Sequence, residues 1–354
     1  MTGVLDSPEA YARLDPSGLG QRIASMPLQC RDAWVKAQAF ALPDSYSRAQ
    51  RILVLGMGGS AIGGDLLAGL QEMQAGVPVE VHRGYGKPSP ADDQTLVIAS
   101  SYSGNTEETL VAFERSWQPG VKAIAATHGG ALATRARVLG VPLFPIEVEG
   151  EPRSVMGYSL FALLGFVQRL GLAPDRSADV AEAFKLMQAM TADLAPDRPA
   201  GQNAAKALAM RATDKAVLIL GAQHLEAVAR RWKAQIAENA KHLAVSESLP
   251  EWDHNGVEGL HFPPGAAPHD LYVILESALY HPRIALRCRL TRRLLEENRC
   301  AWDTYAASGK SPLAQVMTAT LFGDYVSYYL AILNGVDPSA TPNLDRFKKL
   351  MADQ

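Results

Sequence analysis

Two clusters of glycine and hydroxyl residues carry side chains suited to holding an oxyanion: Gly58-Gly59-Ser60 and Ser101-Tyr-Ser-Gly-Asn-Thr106. Each follows an apolar, β-branched run and leads into a helical pattern, so each reads as a strand-to-helix turn. Such turns aim bare backbone N–H groups and Ser/Thr hydroxyls at an anion on a helix N-terminus. A helix cap needs only one hydroxyl side chain, whereas Ser101, Ser103 and Thr106 crowd into six residues around Gly104, which permits close backbone approach. Two such turns in one sheet predict a site for a single phosphate group. The chain is therefore expected to act on a phosphorylated small molecule.

Gly56-x-Gly58-x-x-Ala61 also fits a dinucleotide fingerprint. That reading needs an acidic residue at the end of the next strand to hold a ribose. The next strand, Val77-Pro-Val-Glu-Val-His-Arg83, ends in His82 and Arg83, with Glu80 inside it. The phosphate reading is the better match.

The elements that must position these turns alternate. Strands are expected at 51–56, 77–83, 94–100, 121–126 and 141–146, with helices starting near Ser60, Asn105 and Gly130. This is the pattern of a parallel sheet covered on both faces. Residues 8–42 read as helical, and further helices fit 157–170 and 178–192. Asp193-Leu-Ala-Pro-Asp-Arg-Pro-Ala-Gly201 breaks the pattern and is the expected interdomain linker. A second α/β segment opens at Lys215-Ala-Val-Leu-Ile-Leu-Gly221, with strands at 241–247 and 270–275. It reads as a degenerate copy of the first, because Gly221-Ala-Gln-His224 lacks the hydroxyl that Ser60 supplies. The expected division is thus residues 1–192 and 202–354, the latter ending in helices from Pro312 to Asn334 and from Pro342.

A chain of 354 residues is long enough for two cores. A net charge of −3 offers no general attraction to nucleic acid or acidic membranes, so an anion must be held by local geometry. Three cysteines with no C-x-x-C spacing indicate neither a disulfide framework nor a zinc knuckle. The N-terminus lacks the regions of a signal peptide, and no apolar run is counted as approaching the ~18 residues of a membrane span. A cytoplasmic enzyme is the expectation. The eight histidines form no H-x-H or H-E-x-x-H spacing, so no metal is called for, and no organic cofactor.

The order G-M-G-G-S-A-I-G-G-D, then S-Y-S-G-N-T-E-E-T, resembles the sugar isomerase (SIS) fold. Glu151-Pro-Arg-Ser154, Gln235-Ile-Ala-Glu-Asn-Ala-Lys241, Asp253-His-Asn255 and Gly335-Val-Asp-Pro338 extend the resemblance to the bifunctional phosphoglucose/phosphomannose isomerases. It implies two SIS-type domains, each a parallel sheet between helical layers, with a helical C-terminal segment. It gives the phosphate to Ser60, Ser101, Ser103 and Thr106, beside Gly58 and Gly59. It makes Glu238 the catalytic base, His254 the ring-opening residue and Arg153 the cation that stabilises the enediolate. It places Lys348 at the C-terminal end of the site, with adjacent Lys349 competing for that slot, and associates Thr341 with acceptance of both epimers. It also implies a homodimer with the site at the subunit interface. One departure stands out: the family's Asn-His-Asn-Glu reads Asp253-His254-Asn255-Gly256 here.

The chemistry so implied is aldose–ketose isomerisation of glucose 6-phosphate or mannose 6-phosphate to fructose 6-phosphate, through a cis-enediol. A single carboxylate can carry the proton between C1 and C2. The alternative is a non-catalytic or differently specific sugar-phosphate-binding SIS protein.

Overall fold

A computed structural model describes residues 2–74, 76–86, 88, 91–263 and 269–353. The chain divides into two compact units, one of Ser25–Lys185 with Gly309–Val316, the other of Met1–Ala24, Leu186–Ser308 and Met317–Gln354.

The unit built on residues 25–185 holds a five-stranded sheet of β1 (Arg51–Leu55), β2 (Val79–His82), β3 (Thr95–Ser100), β4 (Lys122–Thr127) and β5 (Leu143–Pro145). Its order is β2-β1-β3-β4-β5 and every pair is parallel. All five expected strands are present, with ends shifted by one or two residues. Strands β3 and β4 are buried along their whole length, which is why they read as near-continuous apolar runs rather than alternating ones. Leu53, Val97, Ala99, Phe113, Ala123 and Leu132 form the core between this sheet and the helices Glu107–Ser116 and Gly130–Val138. On the helix Gly58–Met73, a Cβ at Gly63 would overlap the carbonyl oxygen of Ser159, so that glycine sets the close packing against the helix Met156–Arg169.

The other unit holds β6 (Ala216–Ala222), β7 (Ala244–Leu249), β8 (Asp270–Glu276) and β9 (Ala301–Ala306), in the parallel order β7-β6-β8-β9. Strand β9 was not among the expected strands. Ala301-Trp-Asp-Thr-Tyr-Ala306 is a half-exposed edge strand whose polar residues interrupt any apolar run. The region 8–42 is not one helix but Pro8–Leu14, Leu19–Ala24 and Met26–Ala39. The Asp15 carboxylate accepts the N–H groups of Leu19 (2.7 Å) and Gly20 (2.9 Å) and so starts the second of these. The Nζ of Lys206, which is fully buried, donates to the carbonyls of Pro196 (2.7 Å) and Arg198 (2.8 Å) and to the Asp6 carboxylate (3.0 Å). These bonds tie the N-terminal segment and the turn at 193–201 into this unit.

The helix Pro312–Leu333 corrects one expectation: its 22 residues are long and apolar enough to span a membrane by length and composition. Of its most apolar window 94% is buried inside the protein, and the sequence reading missed it because polar residues are spaced along it. One of these, Asp324, forms a buried pair with Arg231 (Nη2–Oδ2 2.6 Å), while Trp232 Nε1 donates to the Ala319 carbonyl at 2.8 Å. These are the partners of a core helix.

Candidate active site

In the order β2-β1-β3-β4-β5 the chain reverses its direction of travel between β1 and β3. The carboxyl ends of two such strands frame a crevice, the usual ligand position in an open α/β sheet. Both hydroxyl clusters lie there: Gly58–Ser60 directly follows β1, and Ser101–Thr106 directly follows β3. The first helix begins at Gly58 rather than at Ser60, and the second at Glu107, with Thr106 as its N-cap residue.

The hydroxyls are held by a common set of bonds. Ser60 Oγ accepts the Tyr102 N–H at 3.2 Å, which joins the two turns. Ser101 Oγ lies 2.9 Å from Thr106 Oγ1 and accepts the Gly104 N–H at 3.2 Å. Ser103 Oγ accepts the Asn105 N–H at 3.2 Å. A hydroxyl that accepts from the backbone keeps its own proton to give away, so Ser60 and Ser103 each retain an O–H to donate. Ser60 and Ser101 are buried and Ser103 is exposed. Gly104 has φ +68°, and a Cβ there would overlap the carbonyl oxygen of Gly129, so the turn has no room for a larger residue.

Tyr102, which the sequence reading passed over, props the second turn. Its ring stacks on His128 with centroids 5.4 Å apart, and its hydroxyl donates to the Val148 carbonyl at 2.8 Å. Burial raises its pKa, so the hydroxyl remains a donor at neutral pH. Arg153 is brought to the same place. It lies in the single 3-10 turn Pro152–Ser154, is 5% exposed, and its backbone packs on the first turn: a Cβ at Gly59 would stand 2.8 Å from the Pro152 carbonyl oxygen and 3.1 Å from Arg153 Cα. Gly58, Gly59, Ser60, Ser101, Ser103, Thr106 and Arg153 thus share one unit, with the buried arginine's backbone lying against the first turn.

Glu238, His254, Thr341 and Lys348 belong to the other unit. Glu238 is half-buried on the helix Glu226–Ala240, next to fully buried Asn239, whose Nδ2 donates to Ser327 Oγ at 2.9 Å. This helix ends on Lys241 at φ 51°, whose Nζ donates to the carbonyls of Asn239 (3.1 Å) and Asp337. The segments 235–241 and 335–338, far apart in sequence, therefore meet. Thr341 is the N-cap residue of the helix Pro342–Ala352, on which Lys348 and Lys349 are both exposed.

His254 is exposed on the four-residue helix Trp252–Asn255. The neighbouring Asp253 fixes this short helix, accepting from Arg287 Nη1 and from Thr291 Oγ1, both at 3.0 Å. Arg287 and Thr291 lie four apart on the helix Pro282–Glu297, hence on one face; only that spacing hinted at their role, and nothing local pointed to Asp253. Gly256 has a structural reason as well. A Cβ there would overlap Trp252 Nε1, and the Trp252 ring is buried against Tyr272 with centroids 5.9 Å apart. The indole occupies the space into which a larger residue at 256 would project.

The second sheet reverses in the same way between β6 and β8, but side chains fill that position. The Tyr280 hydroxyl accepts the Ala222 N–H at 3.2 Å and donates to the Leu275 carbonyl at 3.0 Å. His224, 1% exposed, lies 3.4 Å from Ser277 Oγ. A backbone donor that would meet an anion here is already used. Among the described residues no group of three or more His, Cys, Asp or Glu is arranged to hold a metal ion.

Residues 45–139 match the SIS domain, and residues 201–351 match the bacterial phospho-glucose isomerase C-terminal SIS domain. The bifunctional phosphoglucose/phosphomannose isomerase of Caldicellulosiruptor bescii is 33% identical, over 94% of this chain and 98% of that one. Its counterpart from Thermoplasma acidophilum is 33% identical, over 84% of this chain and 88% of that one. Among solved structures, a hypothetical protein from Thermus thermophilus superposes with a TM-score of 0.74 at 17% identity, over 98% of this chain and 93% of that one.

Proposed function

The chain belongs to the family of bifunctional phosphoglucose/phosphomannose isomerases, and from that premise we propose how its residues divide the reaction. It is an isomerase that interconverts glucose 6-phosphate and mannose 6-phosphate with fructose 6-phosphate. The hydroxyls of Ser60, Ser101, Ser103 and Thr106, with the N–H groups at Gly58 and Gly59, hold the phosphate. The free energy of this remote contact is used to orient C1 and C2.

Glu238 removes the proton from C2 and returns it to C1, the same carboxylate serving both carbons. His254 shuttles the proton that opens the ring, a task suited to imidazole near neutral pH, with Lys348 at the ring oxygen. Arg153 stabilises the enediolate oxygen. Thr341 leaves room for the C2–C3 rotation that presents either epimer to one base. The bonds that leave Ser60 and Ser103 each an O–H to donate support the phosphate assignment. The isomerase runs on its own side chains, with no metal and no organic cofactor.

The active form is a homodimer. What supports this is the face of the helix Pro342–Ala352, where Leu344, Phe347, Leu350 and Met351 are all exposed and none of the helix's residues is buried. Hexose phosphates are dianions that do not cross membranes unaided, which places their isomerase in the cytoplasm.

One observation carries this reading: the relationship spans nearly the whole chain and includes both phosphate turns. The test is to supply fructose 6-phosphate and measure glucose 6-phosphate and mannose 6-phosphate separately. Both products are expected. Undiminished turnover in Glu238→Gln would remove that residue from the mechanism.

A further inference from the structure

The amino ends of β3 and β4 frame a cationic cavity. It has a volume of about 440 Å³ and is lined by Ser45, Tyr46, Arg48, Asp93, Gln94 and Lys122. This volume is enough for a small metabolite. Lys122 is the first residue of β4 and only 7% exposed, and among the described residues its ammonium has no hydrogen-bond or ion-pair partner. Its stem is packed over most of its length, while its ammonium lines the cavity with no counter-charge among the described residues, so an anion entering the cavity meets an uncompensated cation. The nearest acidic neighbours do not supply the charge. Asp92 is engaged with Arg51 (2.6 Å) and Thr95 (2.8 Å), and Asp93 is exposed at the cavity rim.

The remaining lining groups suit an oxyanion. Arg48 ends the 3-10 turn Asp44–Arg48 and, like Lys122, has no partner among the described residues. Tyr46 is buried with its hydroxyl donating to the Ala123 carbonyl at 3.1 Å, which fixes this turn over the start of β4. Ser45 and Gln94 add a hydroxyl and an amide. Against two cations stands one carboxylate, Asp93, so the cavity keeps a net positive charge.

We propose that this cavity is a second oxyanion site, in which Lys122 and Arg48 bind a small metabolite carrying a phosphoryl or carboxylate group. It is separate from the hydroxyl turns. They lie at the carboxyl end of β3, and the cavity lies at its amino end, about 20 Å away along a six-residue strand. Occupancy there is read independently of catalysis.

Inorganic phosphate binding to the full chain is measured by equilibrium dialysis, for wild type, Lys122→Gln, Lys122→Arg and Arg48→Gln. Lys122→Gln and Arg48→Gln are each expected to bind one phosphate fewer per chain, the lost site weakening by about tenfold or more, as for loss of a charge-assisted hydrogen bond. Lys122→Arg is expected to keep the site. KM for fructose 6-phosphate is expected to stay within about twofold of wild type in all three, showing that the lost phosphate is not the one at the turns. A malonate arm identifies the source: displacement of this phosphate marks a site that also takes carboxylates, and its retention marks a phosphoryl site. Equal phosphate binding in wild type and Arg48→Gln overturns the proposal, and Arg48, being exposed, can be changed without threat to folding. A KM that rises in step with the lost binding overturns it too.

Discussion

Adjacent glycines in the turn after β1 separate backbone strain from displacement of the arginine segment. At Gly58, φ is +50° and an added Cβ would meet nothing within 4 Å. Gly58→Ala should therefore cost only its left-handed conformation, about 1–2 kcal/mol, and leave kcat/KM within a few-fold of wild type. Gly59 has no such strain but no space. Its Cβ would stand 2.8 Å from the Pro152 carbonyl oxygen, and ordinary contact begins at 3.4 Å, so the Arg153 turn must yield by roughly 0.6 Å (3.4 − 2.8). Overpacking of this kind costs about 1–3 kcal/mol, which outweighs the ~0.5–1 kcal/mol that alanine normally gains over glycine in a helix. A misplacement of about 1 Å can cost about a hundredfold in rate, so Gly59→Ala should lose roughly ten- to a hundredfold in kcat/KM. The assay is denaturant unfolding together with fructose 6-phosphate kinetics on both variants. A Gly59→Ala protein as stable as wild type with unchanged kcat/KM would refute the claim that the Arg153 turn is seated on that glycine.

Three further outcomes follow from other contacts. Ser101→Ala removes the partner of Thr106 and one of two acceptors of the Gly104 N–H, the Ser101 carbonyl remaining, and should lower kcat/KM about tenfold or more, mainly through KM; an unchanged KM would take Ser101 out of the proposed phosphate contacts. Asp253→Ala releases Arg287 and Thr291 from the short helix that carries His254, and should lower kcat more than it raises KM, with unfolding stability reduced by about 1 kcal/mol; Asp253→Asn, which keeps an acceptor for Thr291, should recover part of kcat. The thiols of Cys30, Cys288 and Cys300 are buried, and burial pushes the Cys288 thiol up to about 11. The native protein should therefore leave all three unreacted with a thiol reagent at pH 7 and titrate them only on unfolding; rapid labelling of the folded protein would contradict the packing.

The first sheet was legible because β1, β3 and β4 are covered on both faces, which leaves uninterrupted apolar runs, and a glycine-rich turn follows β1 and β3. In β9 the signal disappeared, because half-exposed Trp302, Asp303 and Thr304 form neither an apolar run nor a clean alternation. The N-terminal helices could not be separated by periodicity alone, since the break depends on one carboxylate, Asp15, turning back onto Leu19 and Gly20. The turns after β1 and β3 were legible for a local reason: their glycines and hydroxyls are close neighbours in sequence. The clamp on the His254 helix was not, because Asp253 and Arg287 are 34 residues apart and neither has a local pattern that implies the other.

The same local contrast separates the crevices of the two sheets. Both sheets place a reversal of strand order between two central strands, so both offer a crevice. What distinguishes them is the size of the side chains that take the backbone donors there: serine hydroxyls take the Tyr102, Gly104 and Asn105 N–H groups in the first, and a tyrosine takes the Ala222 N–H in the second. After β1 and β3, the small hydroxyls of Ser60 and Ser103 accept from the backbone and keep their own protons to donate. After β6 and β8, Tyr280 takes the Ala222 N–H, and His224 fills the space beside Ser277. A phosphate at the second crevice would have to displace a tyrosine bonded at two points, and its hydroxyl is held protonated by burial well beyond neutral pH. The missing hydroxyl at Gly221–His224 is therefore one part of a larger difference, in which side chains fill the second crevice.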